Sequence, residues 1–361
     1  MEGSTLAVDG VASNPSAAIL TAPVSDASAW RAADFIADRS WIVALTEAAV
    51  AEVDAALRHA QRQGKTAQTI TRDGFPLTSV GGLLADARHE LEYGRGFLLL
   101  RGLPIDRYTD EEAGLLYRGI GAHIGAVVSQ NAKGDLLGHV FDRGYAEYRG
   151  RSDIRGYQTR ADLEFHTDVV DIVGLLCLRT AKEGGQSVIV SSTTIHNEML
   201  AREAALLGLL YGNFLFDRRG EEVGGQPAYF VSPIYSWFQG YLSCRPAIIE
   251  YIYSAQKKTG IALSPAQDEA LHAFPAPCRA RRPAIAHGPA ARRHSAVEQQ
   301  RRSALAHRLP RPRRRTSQAL PVAAVAECRK RPAGRPGSLP VPTRRARRPG
   351  PLDRPQCPVK R

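Results

Sequence analysis

Phenylalanine, tryptophan and tyrosine are absent after Phe274. Residues 275–361 are also nearly without acid, holding 3 of the 36 Asp and Glu but 23 of the 48 Lys and Arg. They carry 15 of the 23 prolines as well. Such a stretch has too little apolar surface to offset its chain entropy, so it reads as a disordered basic tail, 275–361. Without it the chain is mildly acidic, so the formal net charge of +12 says nothing about the folded part. Cysteine is scarce: Cys177, Cys244, Cys278, Cys328 and Cys357, with no C-x-x-C pair. An odd, dispersed set excludes a disulfide framework and fits reduced thiols in a cytoplasmic protein. No apolar run approaches the ~20 residues of a membrane span. The first 27 residues have neither a basic start nor an apolar core segment. They read as a flexible leader rather than a secretion signal.

What remains, 28–274, has enough apolar periodicity for a core. The stretch 45–64 is an amphipathic helix with Val50, Val53, Ala56 and Leu57 on one face and Gly64 as its stop. Leu83 to Tyr93 reads as a second helix. Phe97 to Gly102, bounded by glycine, reads as a buried strand. Thr109 and Glu112 spell a capping box for a helix reaching about His123. Residues 125–160 are polar and glycine-rich and read as loops forming a substrate lid. Asn197 to Leu210 is helical, 211–245 several short strands, and Pro246 to Thr259 helical again. Ser264 caps a last helix ending at Phe274.

The chemistry concentrates in Leu163–Asn197, LEFHTDVVDIVGLLCLRTAKEGGQSVIVSSTTIHN. On an extended segment His166 and Asp168, two apart, share a face. One imidazole and one carboxylate on one face are two thirds of a facial triad for Fe(II). The strand after the Gly184-Gly185 turn can bring the hydroxyl of Ser187 beside such a metal. The plainer alternative is a loop histidine next to an Asp that makes an Asx turn. The apolar strand that follows, 169–179, favours the metal, because a rigid strand edge holds ligands well. Cys177 in that strand reads as core. Asn131 reads as a solvated lid residue, His196 as packing or capping at a helix start, and Arg218 and Arg219 as surface partners of Glu221 and Glu222.

The residues FHTD, GLLCLRTAKEGGQS and VSSTTIHNEM resemble the taurine/2-oxoglutarate dioxygenase (TauD/TfdA-like) family. GRGFLLLRGLP before them, and DRRGEE and LSCR after, resemble it too. The likeness covers about 30–274. It implies a mostly β fold with flanking helices, a double-stranded β-helix or jelly roll, incomplete at its C-terminal end. It implies Fe(II) as cofactor, with 2-oxoglutarate and O2 as cosubstrates. His166 and Asp168 would be iron ligands, and Ser187 would help hold the 2-oxoglutarate carboxylate. The activity implied is oxidation, as hydroxylation, of a small-molecule substrate, with release of succinate and CO2.

The family pattern also calls for a distal His and an Arg, following a G-D-x-Q-x-x-N-N strand in a phrase like L-H-x-R-T-A-Y. No such phrase is present, and His287, His294 and His307 have no strand pattern around them. Read one base later, however, Arg292 to Gln300 permits G-D-I-Q-L-L-N-N. In the same frame Ser303 to Pro310 permits L-H-S-R-T-A-Y, and Pro321 to Glu327 permits L-L-R-L-W-L. Three ordered matches point to a reading frame that slips near 270–277. The chain as written should then be crippled, with poor solubility and little turnover.

A different class of function is a catalytically dead protein whose +20 tail binds nucleic acid or another acidic surface. The tail has no aromatic residues to stack on bases, which weighs against nucleic acid. Oligomeric state, homo-oligomer included, and the identity of the substrate are not encoded in any motif.

Overall fold

The computed structural model describes residues 18–131, 133–145, 154, 156–159, 163, 165–168, 170–180, 187–220, 222, 224–245 and 249–274. It also places two short strands at 285–287 and 324–326. The leader before residue 18, the Gly184-Gly185 turn, Glu221 and the rest of the tail lie outside the described residues.

Three helices build the N-terminal core. Helix α1, Glu47–Arg62, starts where the Thr46 hydroxyl accepts the Ala49 amide at 3.1 Å. It stops at Gly64, whose φ of +63° suits glycine. Helix α2, Ser79–Tyr93, begins four residues before the sequence suggests. The Glu52 carboxylate of α1 takes the amides of Thr78 and Val80, so a neighbouring helix supplies the missing cap. Helix α3, Asp110–Ile124, has the capping box of Thr109 and Glu112, with both reciprocal bonds formed. Val53, Leu57, Phe75, Leu84 and Leu116 are packed between these helices.

A four-stranded sheet lies beside them in the order β1-β2-β10-β3. Its strands are β1 (Ile42–Ala44), β2 (Phe97–Arg101), β3 (Ile172–Gly174) and β10 (Ala324–Ala326). The β1–β2 pair is parallel, and β10 is antiparallel to both neighbours. Strand β4, Ser187–Ile189, pairs antiparallel with β9, Ile285–His287, in a second sheet. The expectation of a tail without structure therefore does not hold for these two strands, which pair with β4, β2 and β3. Chain entropy limits what the tail can do alone, but not what it can add to an existing edge.

The C-terminal core holds two hairpins and four helices. Strands β5 (Phe214–Asp217) and β6 (Tyr229–Ser232) pair with each other, as do β7 (Tyr235–Phe238) and β8 (Tyr241–Cys244). Helices α4 (Ser192–Arg202), α5 (Ala204–Leu209), α6 (Ile249–Thr259) and α7 (Pro265–Ala273) enclose Phe214, Phe216, Tyr235 and Met199. The Ser264 cap of α7 forms as its sequence requires.

Among the described residues the seven helices outweigh ten strands of three to five residues, so "mostly β" is too strong for them. The described sheets do not close into a jelly roll. The strand expected over 169–179 shrinks to three residues. Cys177 lies beyond it and is only half-buried, with its thiol donating to the Arg179 carbonyl at 3.5 Å. It is not a core residue, although burial still pushes its thiol pKa up.

Candidate active site

His166, Thr167 and Asp168 lie on non-helical backbone just ahead of β3. His166 is half-buried, Asp168 is exposed, and the Thr167 hydroxyl between them is buried without a hydrogen-bond partner among the described residues. Ser187 opens β4 and is half-buried.

Strand β3 is seated on α3 through one close approach. Gly174 presents its backbone to Tyr117, and a Cβ there would lie 2.5 Å from the Tyr117 hydroxyl oxygen. Burial raises the Tyr117 pKa to about 12, so the ring is neutral. Gly174→Ala should cost about 1–3 kcal/mol by overpacking, measured by urea unfolding. Tyr117→Phe in the same chain should recover part of that loss, because it removes the clashing oxygen. Past β3, Arg179 grips Asp110 at the start of α3 with two bonds, 2.6 and 3.1 Å. Both side chains are exposed, so water and salt screen the pair and it adds little.

Strand β4 is anchored by Ile189, which packs against Trp30, Phe35, Trp41, Phe97 and Leu99. These rings meet edge to face, with centroids 4.9 Å apart for Trp30 and Phe97 and 5.2 Å for Phe35 and Phe97. Across the β4–β9 ladder, Ser187 is the register partner of His287. The tail histidine that shows no strand pattern in sequence thus occupies a strand position.

Other candidates fall elsewhere. Asn131 is half-buried, and its side chain is occupied inside its own turn, donating to Asp135 at 2.7 Å and accepting from the Lys133 amide. Arg218 and Arg219 make contacts beyond the neighbouring Glu222 and Glu221, the latter lying outside the described residues. Arg218 lies over the Phe230 ring and donates to the Pro227 and Tyr229 carbonyls. Arg219, with φ of +58°, covers the Tyr251 ring and reaches the carbonyl of buried Ile154. Their aromatic partners, brought by β6 and α6, cannot be read from the neighbouring glutamates. Asp217, fully buried beside them, keeps a lowered pKa: burial raises it, but Lys258 at 2.7 Å and Ser254 outweigh that. No motif announced this cluster; an acid in the run FLFD is the one sequence signal for it.

His196 is fully buried inside α4 rather than at a helix start. Its Nε2 is 2.8 Å from the Tyr211 hydroxyl, and its ring meets Tyr235 edge-on. Burial lowers its pKa below the ordinary 6.5. The unfolded chain therefore binds a proton first. Stability present above pH 6.5 is lost as the pH falls through that value, until the folded-state pKa is passed. The slope is at most about 1.4 kcal/mol per pH unit. Urea midpoints at pH 7.5 and 5.5 should differ in the parent chain and converge in His196→Gln.

The donor chemistry of His166 and Asp168 fits Fe(II), but a facial site needs a third protein ligand. Among the described residues no three His, Cys, Asp or Glu side chains gather to hold a metal. The fit is partial. No helix among them is long and apolar enough to cross a membrane.

Comparison with known proteins agrees with the family resemblance. The model of the family "Taurine catabolism dioxygenase TauD, TfdA family" matches residues 60–326. FR-33289 synthase of Streptomyces rubellomurinus is 35% identical over 256 residues, covering 71% of this chain and 75% of that protein. The taurine hydroxylase-like protein SAT17 of Stachybotrys chartarum is 31% identical over 264 residues, covering 70% of this chain and 67% of its own. Among solved structures, an asparagine oxygenase in complex with Fe(II), 2S,3S-3-hydroxyasparagine and succinate superimposes with a TM-score of 0.50. It is 16% identical and covers 80% of this chain and 85% of that one, a likeness of fold. The chain belongs to the TauD, TfdA family of non-haem iron, 2-oxoglutarate-dependent dioxygenases.

Proposed function

We propose that this chain is a small-molecule hydroxylase of that family, whose C-terminal segment is read one base out of frame. His166-x-Asp168 at the entry to β3 is the observation that carries the reading. His166 and Asp168 would hold Fe(II), and the Ser187 hydroxyl would donate to a carboxylate of 2-oxoglutarate. When bound, iron supplies the oxidising chemistry that couples decarboxylation of 2-oxoglutarate, to succinate and CO2, with oxidation of a substrate C–H bond. With two ligands, no step through the metal follows for the chain as written. The free thiols Cys177 and Cys244 are consistent with a reducing cytoplasm. The full fold would be the family's double-stranded β-helix, completed by strands the slipped frame no longer encodes.

One further observation supports the slip. Ala324–Ala326 is an inner strand of the four-stranded sheet, yet its sequence is Ala-Val-Ala. The neighbouring frame permits Leu-Trp-Leu at these codons, bulky apolar residues of the kind an inner strand favours over alanine. The decisive experiment reads the coding DNA from codon 265 to codon 330. The expected result is G-D-x-Q-x-x-N-N followed by L-H-x-R-T-A-Y in the adjacent frame. Neither phrase in any frame would end the slip reading and leave a two-ligand variant with a basic tail.

A further inference from the structure

Residues 24–31, the first four of which read as flexible leader, are tied to α4 at five points. The Val24 amide donates to Asn197 Oδ1 at 2.9 Å, and Asn197 Nδ2 donates back to the Val24 carbonyl at 2.7 Å. One side-chain amide thus pairs with both backbone groups of Val24, as a neighbouring strand would. The hydroxyls of Ser28 and Thr193 lie 3.0 Å apart. Ser191 donates to the Ser28 carbonyl while it caps α4, accepting the Thr194 amide at 2.9 Å. Thr194 donates to the Trp30 carbonyl at 2.7 Å. Arg31 pairs with Glu198, which also holds Arg202 at 2.9 Å. Partners 163 to 173 positions apart along the chain meet here. On α4 they sit at 191, 194 and 198 and at 193 and 197, the spacing of one helix face.

Only Val190 separates β4 from this clamp. A three-residue strand cannot fix its own position. Strand β4 is set from one side by Ile189 in the aromatic cluster and from the other by α4. Trp30 belongs to both anchors, being in the cluster and in the segment held by Thr194.

We propose that residues 24–31 are a strap that fixes β4, and that Asn197 is a positioning residue for the Ser187 hydroxyl through it. The inference rests on the reading of Ser187 as the contact to a 2-oxoglutarate carboxylate. Releasing the strap frees the N-terminus of α4 and lets β4 shift, which misplaces a donor that must sit within hydrogen-bond reach of its anion.

The test is amide exchange in the full chain, with and without 2-oxoglutarate and Co(II), for the parent, Asn197→Ala, Asn197→Asp and Ser187→Ala. In Asn197→Ala, exchange over 187–196 should rise about tenfold or more while 113–124 is unchanged. The 2-oxoglutarate concentration that protects 187–190 should rise by a similar factor. Asn197→Asp, which keeps the acceptor for the Val24 amide and loses the donor, should lie between. Unchanged exchange over 187–190 in Asn197→Ala overturns the strap. Raised exchange with an unchanged 2-oxoglutarate requirement overturns the positioning role. If Ser187→Ala keeps the parent's protection by 2-oxoglutarate at the parent's concentration, the cosubstrate reading of Ser187 fails. The strap is then judged on the exchange rates alone.

Discussion

A chain carrying the restored frame is expected to bind Fe(II) more than about 100-fold tighter than the chain as written. Loss of groups that merely orient a ligand already costs about 10–100-fold in metal affinity, and here a direct ligand is lost. In the restored chain, His166→Ala and Asp168→Ala should each reverse that gain. Anaerobic titration with Co(II), a spectroscopic stand-in, reads the affinity and the coordination number from its absorption. Equal affinity of the two chains would sink the account of the missing ligand. His287 makes the comparison sharper, since it is the register partner of Ser187 in the chain as written. If His287→Ala weakens Co(II) binding as much as His166→Ala does, the written tail supplies a ligand of its own, and the expected gap between the two chains narrows. His294→Ala and His307→Ala should change nothing in the written chain.

Truncating Phe75 should cost about 3–5 kcal/mol, the largest stability loss expected from one apolar substitution in the N-terminal core. Phe75 is 0% exposed and lies with its ring against the backbone of Gly119 in α3. A Cβ at Gly119 would come within 2.4 Å of two ring atoms, so Gly119→Ala alone should cost about 1–3 kcal/mol by overpacking. The two changes should not add. With the ring gone, the alanine methyl at 119 enters space that Phe75→Ala vacated, so the double variant should be more stable than the sum of the singles implies. Urea unfolding of the four chains reads the coupling. Strict additivity would mean that the helix and the loop carrying Phe75 part company before the clash is felt.

How much of this was legible in the sequence depends on the range of the bond concerned. Thr46, Thr109 and Ser264 name the starts of α1, α3 and α7 because a cap joins residues three apart. Strand β2 follows from an apolar run between glycines. The proposed metal-binding pair His166 and Asp168 is legible for the same reason, since two residues apart on extended chain is a statement about one face. The family likeness extended this to Ser187, for which spacing alone offered only a hydroxyl beyond a turn.

The tertiary structure decided what distant partners impose. Helix α2 begins at Ser79 through Glu52, 26 residues away. Helix α4 begins at Ser192, ahead of its best helix formers, because the Ser191 cap is locked under residue 28. His196 moves from a helix start to a buried position once α4 is extended backwards. Arg218 and Arg219 also lie over aromatic faces that β6 and α6 bring to them. His287 gains a place only by pairing with β4. By itself the sequence determined the locally capped helices, the apolar strand β2, the His166-x-Asp168 spacing and the break in composition after Phe274. Only the tertiary structure decided which helix ends are capped from afar, which charges are covered by rings, and what holds the strand of Ser187. Local hydrogen bonds and side-chain alternation are functions of spacing along the chain. Burial and long-range pairing are functions of which segments the fold brings together.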